Sequence, residues 1–178
     1  MLIIMIVGLT AVTWGLVFWQ RARWRQRQQT LPTLLFSSEA KAVFDHAMND
    51  ARTRGQCVGP EHLLAALTST PPGAVADALR AIGVDASKLH ARAILSMAPA
   101  KDACSTEAVI PLTASSEDAM VEAIREASER LHSEVNTEDL LVGLLRTRRN
   151  AASKALAESG ATLPRVRQAV AATSRASA

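Results

Sequence analysis

"GPEHLLAAL", Gly59 to Leu67, and "NTEDLLVGLL", Asn136 to Leu145, decide the fold, because one chain writes nearly the same helix start twice. Each opens on a turn residue and places Glu61 or Glu138 just inside the helix. Leu63, Leu64 and Leu67, or Leu140, Leu141, Leu144 and Leu145, then follow at the spacing of one apolar helix face. The two glutamates lie 77 residues apart, and so do Gly83 and Gly160, each of which ends a helical pattern where a left-handed residue is wanted. Two independent landmarks with one spacing mean an internal duplication.

Outward from these starts, each copy reads as four helices. In the first, Ala40, Val43, Phe44, Ala47, Met48 and Ala51 form one buried stripe, and Gly55 and Gly59 end that element. Pro60 opens the short second helix, "STPPG" is a turn, Val75, Leu79 and Ile82 mark a third helix, and Asp85 caps a fourth through Leu89 and Ile94. In the second copy, "SSED" (Ser115 to Asp118) resembles a capping box with Asp in the Glu place, and Met120, Ile124, Ala127 and Leu131 form the stripe. Ala155, Leu156, Val166 and Val170 follow. "MAPAKDACSTEAVIP" (Met97 to Pro111) is polar, lacks a stripe and reads as a linker. Each copy alone is too small for a comfortable core, so the two are expected to pack together with pseudo-twofold symmetry. The expected fold is therefore all-α, a duplicated four-helix unit forming one eight-helix domain over 36–172. Repeat one spans 36–97, the linker 98–111 and repeat two 112–172, with a tail at 173–178.

Composition agrees. Hydrophobic residues make up 48% and aromatics only 3%, with no tyrosine, which favours packed helices built from Ala, Leu and Val. The formal charge is +3, but Arg21, Arg23, Arg25 and Arg27 all precede residue 31, where no acid occurs, so the remainder carries −1. A nucleic-acid partner needs cations clustered on the folded domain, and none is expected. Cys57 and Cys104 match no CxxC or Cys/His zinc spacing and read as two reduced thiols.

"LIIMIVGLTAVTWGLVFW", Leu2 to Trp19, is an uncharged run close to the roughly 30 Å of a bilayer's hydrocarbon core at about 1.5 Å per residue. Trp19 and Trp24 suit an interfacial belt. A cleaved signal peptide would put positive charge before the run and a small-residue cleavage site after it, whereas "QRARWRQRQQ" follows directly. The reading is a transmembrane anchor over 1–19 and a basic juxtamembrane stem over 20–35, whose arginines also suit anionic lipid headgroups. With the arginines after the span, the positive-inside rule places the N-terminus outside and the domain in the cytoplasm. The expected location is thus a bacterial inner (cytoplasmic) membrane, spanned once.

Taken in order and in both copies, the motifs resemble the Clp repeat domain, the N-terminal domain of the Clp family of AAA+ unfoldases. The stretches that carry the likeness are "FSSEAKAVFDHAMNDARTRG", "VGPEHLLAAL" and "IGVDASKL", then "LTASSEDAMVEAIREASERLHSEVNTEDLLVGLL" and "SGATLPRVRQAV". No G-x-x-x-x-G-K-[ST] phosphate loop occurs in the chain, so the expectation is a recognition part without the motor. The resemblance implies binding of client segments and adaptors for a Clp ATPase or protease in protein quality control, or a membrane scaffold or decoy that contacts Clp components without delivering anything. In one branch of the family, phosphorylated arginine is recognised once per repeat, by a glutamate at the start of the second helix and a Ser or Thr at the start of the first. The matching positions are Glu61 with Ser37, and Glu138 with Thr113. A carboxylate suits a guanidinium fork, and helix N-terminal amides suit an anion. The helix dipole alone also favours a first-turn glutamate, and Ser37 and Thr113 serve equally as caps. Pro60 replaces the usual Thr, and Asn136 and Asp139 replace Gly and His, Asp139 adding negative charge that suits a cationic peptide.

No catalytic constellation is present in the sequence. His46, His62, His90 and His132 fall on separate elements, "PEHLLAAL" is not HExxH, and no serine sits in GxSxG. His62 is expected against a helix start and His132 in a loop. Neither an enzyme activity, a cofactor nor a metal is expected.

Overall fold

A computed structural model describes residues 35–69, 73–97 and 111–176. Eight helices follow in order among them: α1 (Ser38–Arg54), α2 (Pro60–Ser69), α3 (Ala74–Ala81), α4 (Ala86–Ser96), α5 (Ala114–Glu129), α6 (Thr137–Arg146), α7 (Ala151–Glu158) and α8 (Leu163–Ala176). Two strands of two residues each, β1 (Leu35–Phe36) and β2 (Glu134–Val135), complete the described elements. The helices α1 to α4 match α5 to α8 one for one. α2 and α6 have 10 residues each, and α3 and α7 have 8 each.

Local chemistry sets the ends. Ser37 caps α1 by accepting the Ala40 N–H at 3.2 Å, and Asp85 caps α4 by accepting from Ser87 and Lys88. Gly55, Gly83 and Gly160 take φ of 65°, 74° and 83°, the left-handed turn that lets a helix stop. Of the two caps the sequence offers for α5, Thr113 and Ser115, the structure uses Thr113. Thr113, two residues ahead of Ser115, accepts the Ser116 N–H at 3.3 Å, so the helix begins a half-turn earlier. The buried stripe shifts accordingly to Ser116, Ala119, Ala123, Glu126 and Ala127, with Met120 and Ile124 half-buried. Leu131, expected in the stripe, is 92% exposed, because α5 has already ended and Leu131 takes the left-handed turn at φ 57°.

The central pair is α2 and α6. Pro60 and His62 to Leu67 are buried on the first, and Thr137 and Asp139 to Leu144 on the second. α1 packs on α2 as α5 packs on α6, each through alanines: Ala40, Ala47 and Ala51, then Ala119, Ala123 and Ala127. Contacts between the repeats come in exchanged pairs. α3 meets α8 while α4 meets α7, and α1 meets α6 while α2 meets α5. Each inter-repeat contact thus has a mate with the roles of the repeats reversed, as an approximate twofold requires. One core runs through both halves, from Val43 and Leu64 to Leu141, Leu156 and Val166.

α8 runs to Ala176, through part of the stretch expected as a tail. No helix among the described residues is long and apolar enough to cross a membrane; the run Leu2 to Trp19 and residues 20–34 of the stem lie outside them, and Leu35, expected to close the stem, belongs to β1. The expectation of two reduced thiols is corrected at Cys57, which is disulfide-bonded. Val58 pairs with Leu112, so the end of the interrepeat segment lies alongside Cys57; Cys104 falls outside the described residues.

Candidate functional site

The strands pair across the repeats. Phe36 lies opposite Val135 in parallel register, and Val58 forms a parallel bridge with Leu112. Ser37 donates its N–H to the Val135 carbonyl at 3.1 Å, and Thr113 donates to the Val58 carbonyl at 3.0 Å. These two contacts are mates: the lead-in to the first helix of one repeat holds the lead-in to the second helix of the other. Ser116 Oγ adds a bond to the Val58 carbonyl at 2.7 Å. The consequence reverses the pairing that the sequence alone implies. Glu61, three residues after Val58, shares its corner with Thr113, and Glu138, three after Val135, shares its corner with Ser37. Both hydroxyl residues are half-buried N-caps.

At the first corner, burial of the Glu61 carboxyl holds its pKa above the ordinary carboxylate range, opposed by a bond to its own backbone N–H. The carboxylate folds back over Gly59, where any Cβ would overlap it. Among the described residues no arginine or lysine pairs with it; the nearest cationic candidate is the His62 ring, 3.7 Å away. The hydrogen bonds of that ring fit its neutral form. His62 Nδ1 accepts the Gly59 N–H at 3.1 Å, which leaves Nε2–H to donate to Gln56 Oε1 at 3.1 Å. Burial also pushes the His62 pKa down, against the pull of Asp50.

At the second corner, Thr137 Oγ1 donates to Glu138 Oε2 at 3.2 Å, and no cation pairs with Glu138 among the described residues. Asp139 does not add open negative charge there. It is fully buried, accepts the Asn136 N–H at 3.0 Å, and meets His132 at 2.9 Å and Arg130 at 3.4 Å. Its carboxylate is consumed as a cap and an ion-pair partner. His132 lies in the α5–α6 loop and His62 sits at the α2 start, as expected.

Behind the corners, sequence reading missed a second difference between the repeats. Glu122, Glu126, Arg146 and Arg167 occupy the positions that His46, Asp50, Ser69 and His90 hold in repeat one. In repeat two ion pairs cross the space and leave a smaller cavity of about 200 Å³. Buried Glu126 takes Arg146 at 2.9 Å and Arg167 Nε at 3.0 Å, and Glu129 joins both arginines. The hydrogen bond from Arg146 holds the Glu129 pKa below its ordinary value, and Glu126 raises that of Arg167. In repeat one the same space is a cavity of about 330 Å³. His46 Nδ1 lies 3.0 Å from Ser69 Oγ, His90 Nδ1 lies 3.0 Å from the Ala65 carbonyl, and Asp50 Oδ2 is buried without a hydrogen bond. No three His, Cys, Asp or Glu side chains among the described residues group closely enough to hold a metal ion.

Comparison with known proteins gives the same organisation. The family model for the Clp repeat (R) N-terminal domain matches residues 35–159 and again 111–176. Among solved structures, a chain from structural investigations of a malarial protein secretion system superposes with a TM-score of 0.66 at 18% identity, covering 78% of this chain and 93% of that one. The Hsp104 N-terminal domain from Candida albicans gives 0.63 at 14% identity, covering 76% and 89%. The N-terminal domain of the Clp protease-associated chaperone ClpD from Arabidopsis thaliana gives 0.57 at 19% identity, covering 79% and 94%.

Proposed function

Because the chain belongs to the Clp repeat N-terminal domain family, we propose that it is a non-catalytic binding module that captures arginine-bearing client or adaptor segments for a Clp ATPase, and that residues 1–19 tether it to a membrane. One observation carries the reading: two symmetry-related corners each present a glutamate at a helix start, Glu61 or Glu138, with no lysine or arginine of the described chain paired to it. A half-buried carboxylate without a cation is incompletely compensated, and a guanidinium fork offers it two charge-assisted hydrogen bonds. The helix amides and the hydroxyls of Thr113 and Ser37 beside it are suited to a phosphoryl group carried on such an arginine.

The test is calorimetric titration of the full-length protein in detergent with an arginine-containing peptide and its phosphoarginine form. Glu61→Ala with Glu138→Ala is expected to weaken binding by on the order of a hundredfold, the cost of one or two charge-assisted contacts. Unchanged affinity for both peptides removes the assignment. Preference for the phosphorylated form selects the phosphoryl-reading version of the site.

The tether raises local concentration of the module near the bilayer, and the arginine distribution favours a cytoplasmic domain. Protease added to intact and to opened cells tests the side: a cytoplasmic domain is expected to be cleaved only after opening, and cleavage in intact cells overturns that orientation. The disulfide at Cys57 argues for the other side, because a cytoplasm keeps thiols reduced.

A further inference from the structure

Repeat two carries a groove of about 950 Å³ where the end of α6, the α6–α7 turn and the start of α8 converge. Arg125, Arg146, Arg148, Arg149 and Lys154 line it against a single carboxylate, Glu122. That carboxylate is already taken, by Arg125 at 2.7 Å and Arg146 at 3.3 Å. Arg148 and Arg149 are exposed and have no carboxylate partner among the described residues. Leu145, Leu163 and Pro164 give the same groove an apolar floor. Arg146 is also held by Glu126 and Glu129, and Lys154 lies 3.9 Å from Glu158, so Arg148 and Arg149 are the groove's cations without an acidic partner among the described residues.

The helix dipole explains a cation near the end of α6, but not this turn. Arg149 sits at φ 76°, a left-handed conformation shared among the described residues with Gly55, Gly83, Gly160 and one other non-glycine, Leu131. A side chain held there against its own backbone preference points to a use for the side chain. At the 77-residue offset repeat one has Pro71 and Pro72, so the basic pair belongs to repeat two alone.

We propose that this groove is a docking site for an acidic polypeptide segment, whose carboxylates pair with Arg148 and Arg149 while an intervening apolar side chain rests on Leu145, Leu163 and Pro164. Charge complementarity selects the occupant, and the apolar floor distinguishes a peptide from a nucleic acid. No aromatic side chain lines the groove to stack on a base. The groove lies about 12 Å along α6 from Glu138, at the opposite end of the helix. It takes the opposite charge from the glutamate corners and does not rest on their assignment.

The experiment is fluorescence anisotropy with full-length protein in detergent, using a labelled peptide of alternating Glu and Leu, its Lys/Leu counterpart and a single-stranded oligonucleotide. The Glu/Leu peptide is expected to bind preferentially and to weaken with added salt. R148E/R149E is expected to reduce its affinity at least about tenfold, as reversal of two facing charges does, while E61A/E138A leaves it unchanged. R149G separates binding from folding. It removes backbone strain with the charge, so the melting temperature rises while affinity falls. Equal binding of the Lys/Leu peptide or the oligonucleotide, or full Glu/Leu affinity in R148E/R149E, overturns the proposal.

Discussion

His62 and Asp139 hold the same place in the two repeats and perform the same task with different chemistry: each accepts the backbone N–H three residues earlier, Gly59 to His62 Nδ1 at 3.1 Å and Asn136 to Asp139 at 3.0 Å. The substitution that looked like a loss of the motif is a change of capping group. It carries a pH signature. The His62 pKa is lowered in the fold, chiefly by burial, so the unfolded chain binds the extra proton first. The stability that depends on neutral His62 is full above its unfolded value of 6.5 and declines as pH falls through it. Thermal melts across that range are expected to show the decline in the parent and its absence in His62→Asn.

Asp139→Ala is expected to destabilise by about 3 kcal/mol, combining a lost cap with Arg130 and His132 left facing a buried gap. Denaturant unfolding measures it; a loss within the range of a surface change, about 0.5 kcal/mol, contradicts the role.

Glu61 has the opposite linkage. Its pKa is raised by burial, so the folded chain holds the proton more tightly than the unfolded one. Its favourable contribution is full below 4.5 and disappears as pH rises through the folded value. Glu61→Gln is therefore expected to raise the melting temperature at neutral pH and to leave it unchanged well below 4.5. A cation bound at this carboxylate lowers its pKa, so binding releases protons in the same range. Titrations in buffers of different ionisation enthalpy read that release directly.

Gly143 lets α6 approach α5. A Cβ there would meet the Ala119 carbonyl and would lie 2.8 Å from the Ala123 nitrogen, both backbone atoms that cannot swing aside. Gly143→Ala is expected to cost about 2 kcal/mol by overpacking despite its better helix propensity. Repeat one has Ala66 at the matching position, buried without such a conflict. Ala66→Gly is expected to cost only about 1 kcal/mol.

Leu131 combines a left-handed backbone with an almost fully exposed apolar side chain. Gly55 holds the matching place in repeat one at φ 65°. Leu131→Gly is expected to stabilise by about 0.5–1 kcal/mol, strain relief exceeding the added freedom of the unfolded chain. A lower melting temperature would mean that the exposed leucine has a packing partner.

The duplication, the eight helices and most caps were legible because they depend on local spacing: Glu61 to Glu138, the glycine stops, the leucines of α2 and α6. What stayed hidden depends on contacts between segments distant in the chain. Strands of two residues leave no alternation to read, so the exchange that sets Glu61 beside Thr113 has no local signature. Glu126 looks like any solvent-facing glutamate until Arg146 and Arg167 arrive from two other helices. Leu131 fits an apolar stripe, and only the early end of α5 turns it outward. For Arg148 and Arg149, a signal did exist in a pair of arginines where the other copy has prolines, but their convergence with the start of α8 is tertiary.

The crossed strand pairs have an outcome for truncation. Since every corner draws its carboxylate from one copy and its hydroxyl from the other, deleting either copy abolishes both corners instead of halving their number. A single unit could assemble such a corner only by meeting a second copy of itself, an encounter that one continuous chain makes intramolecular.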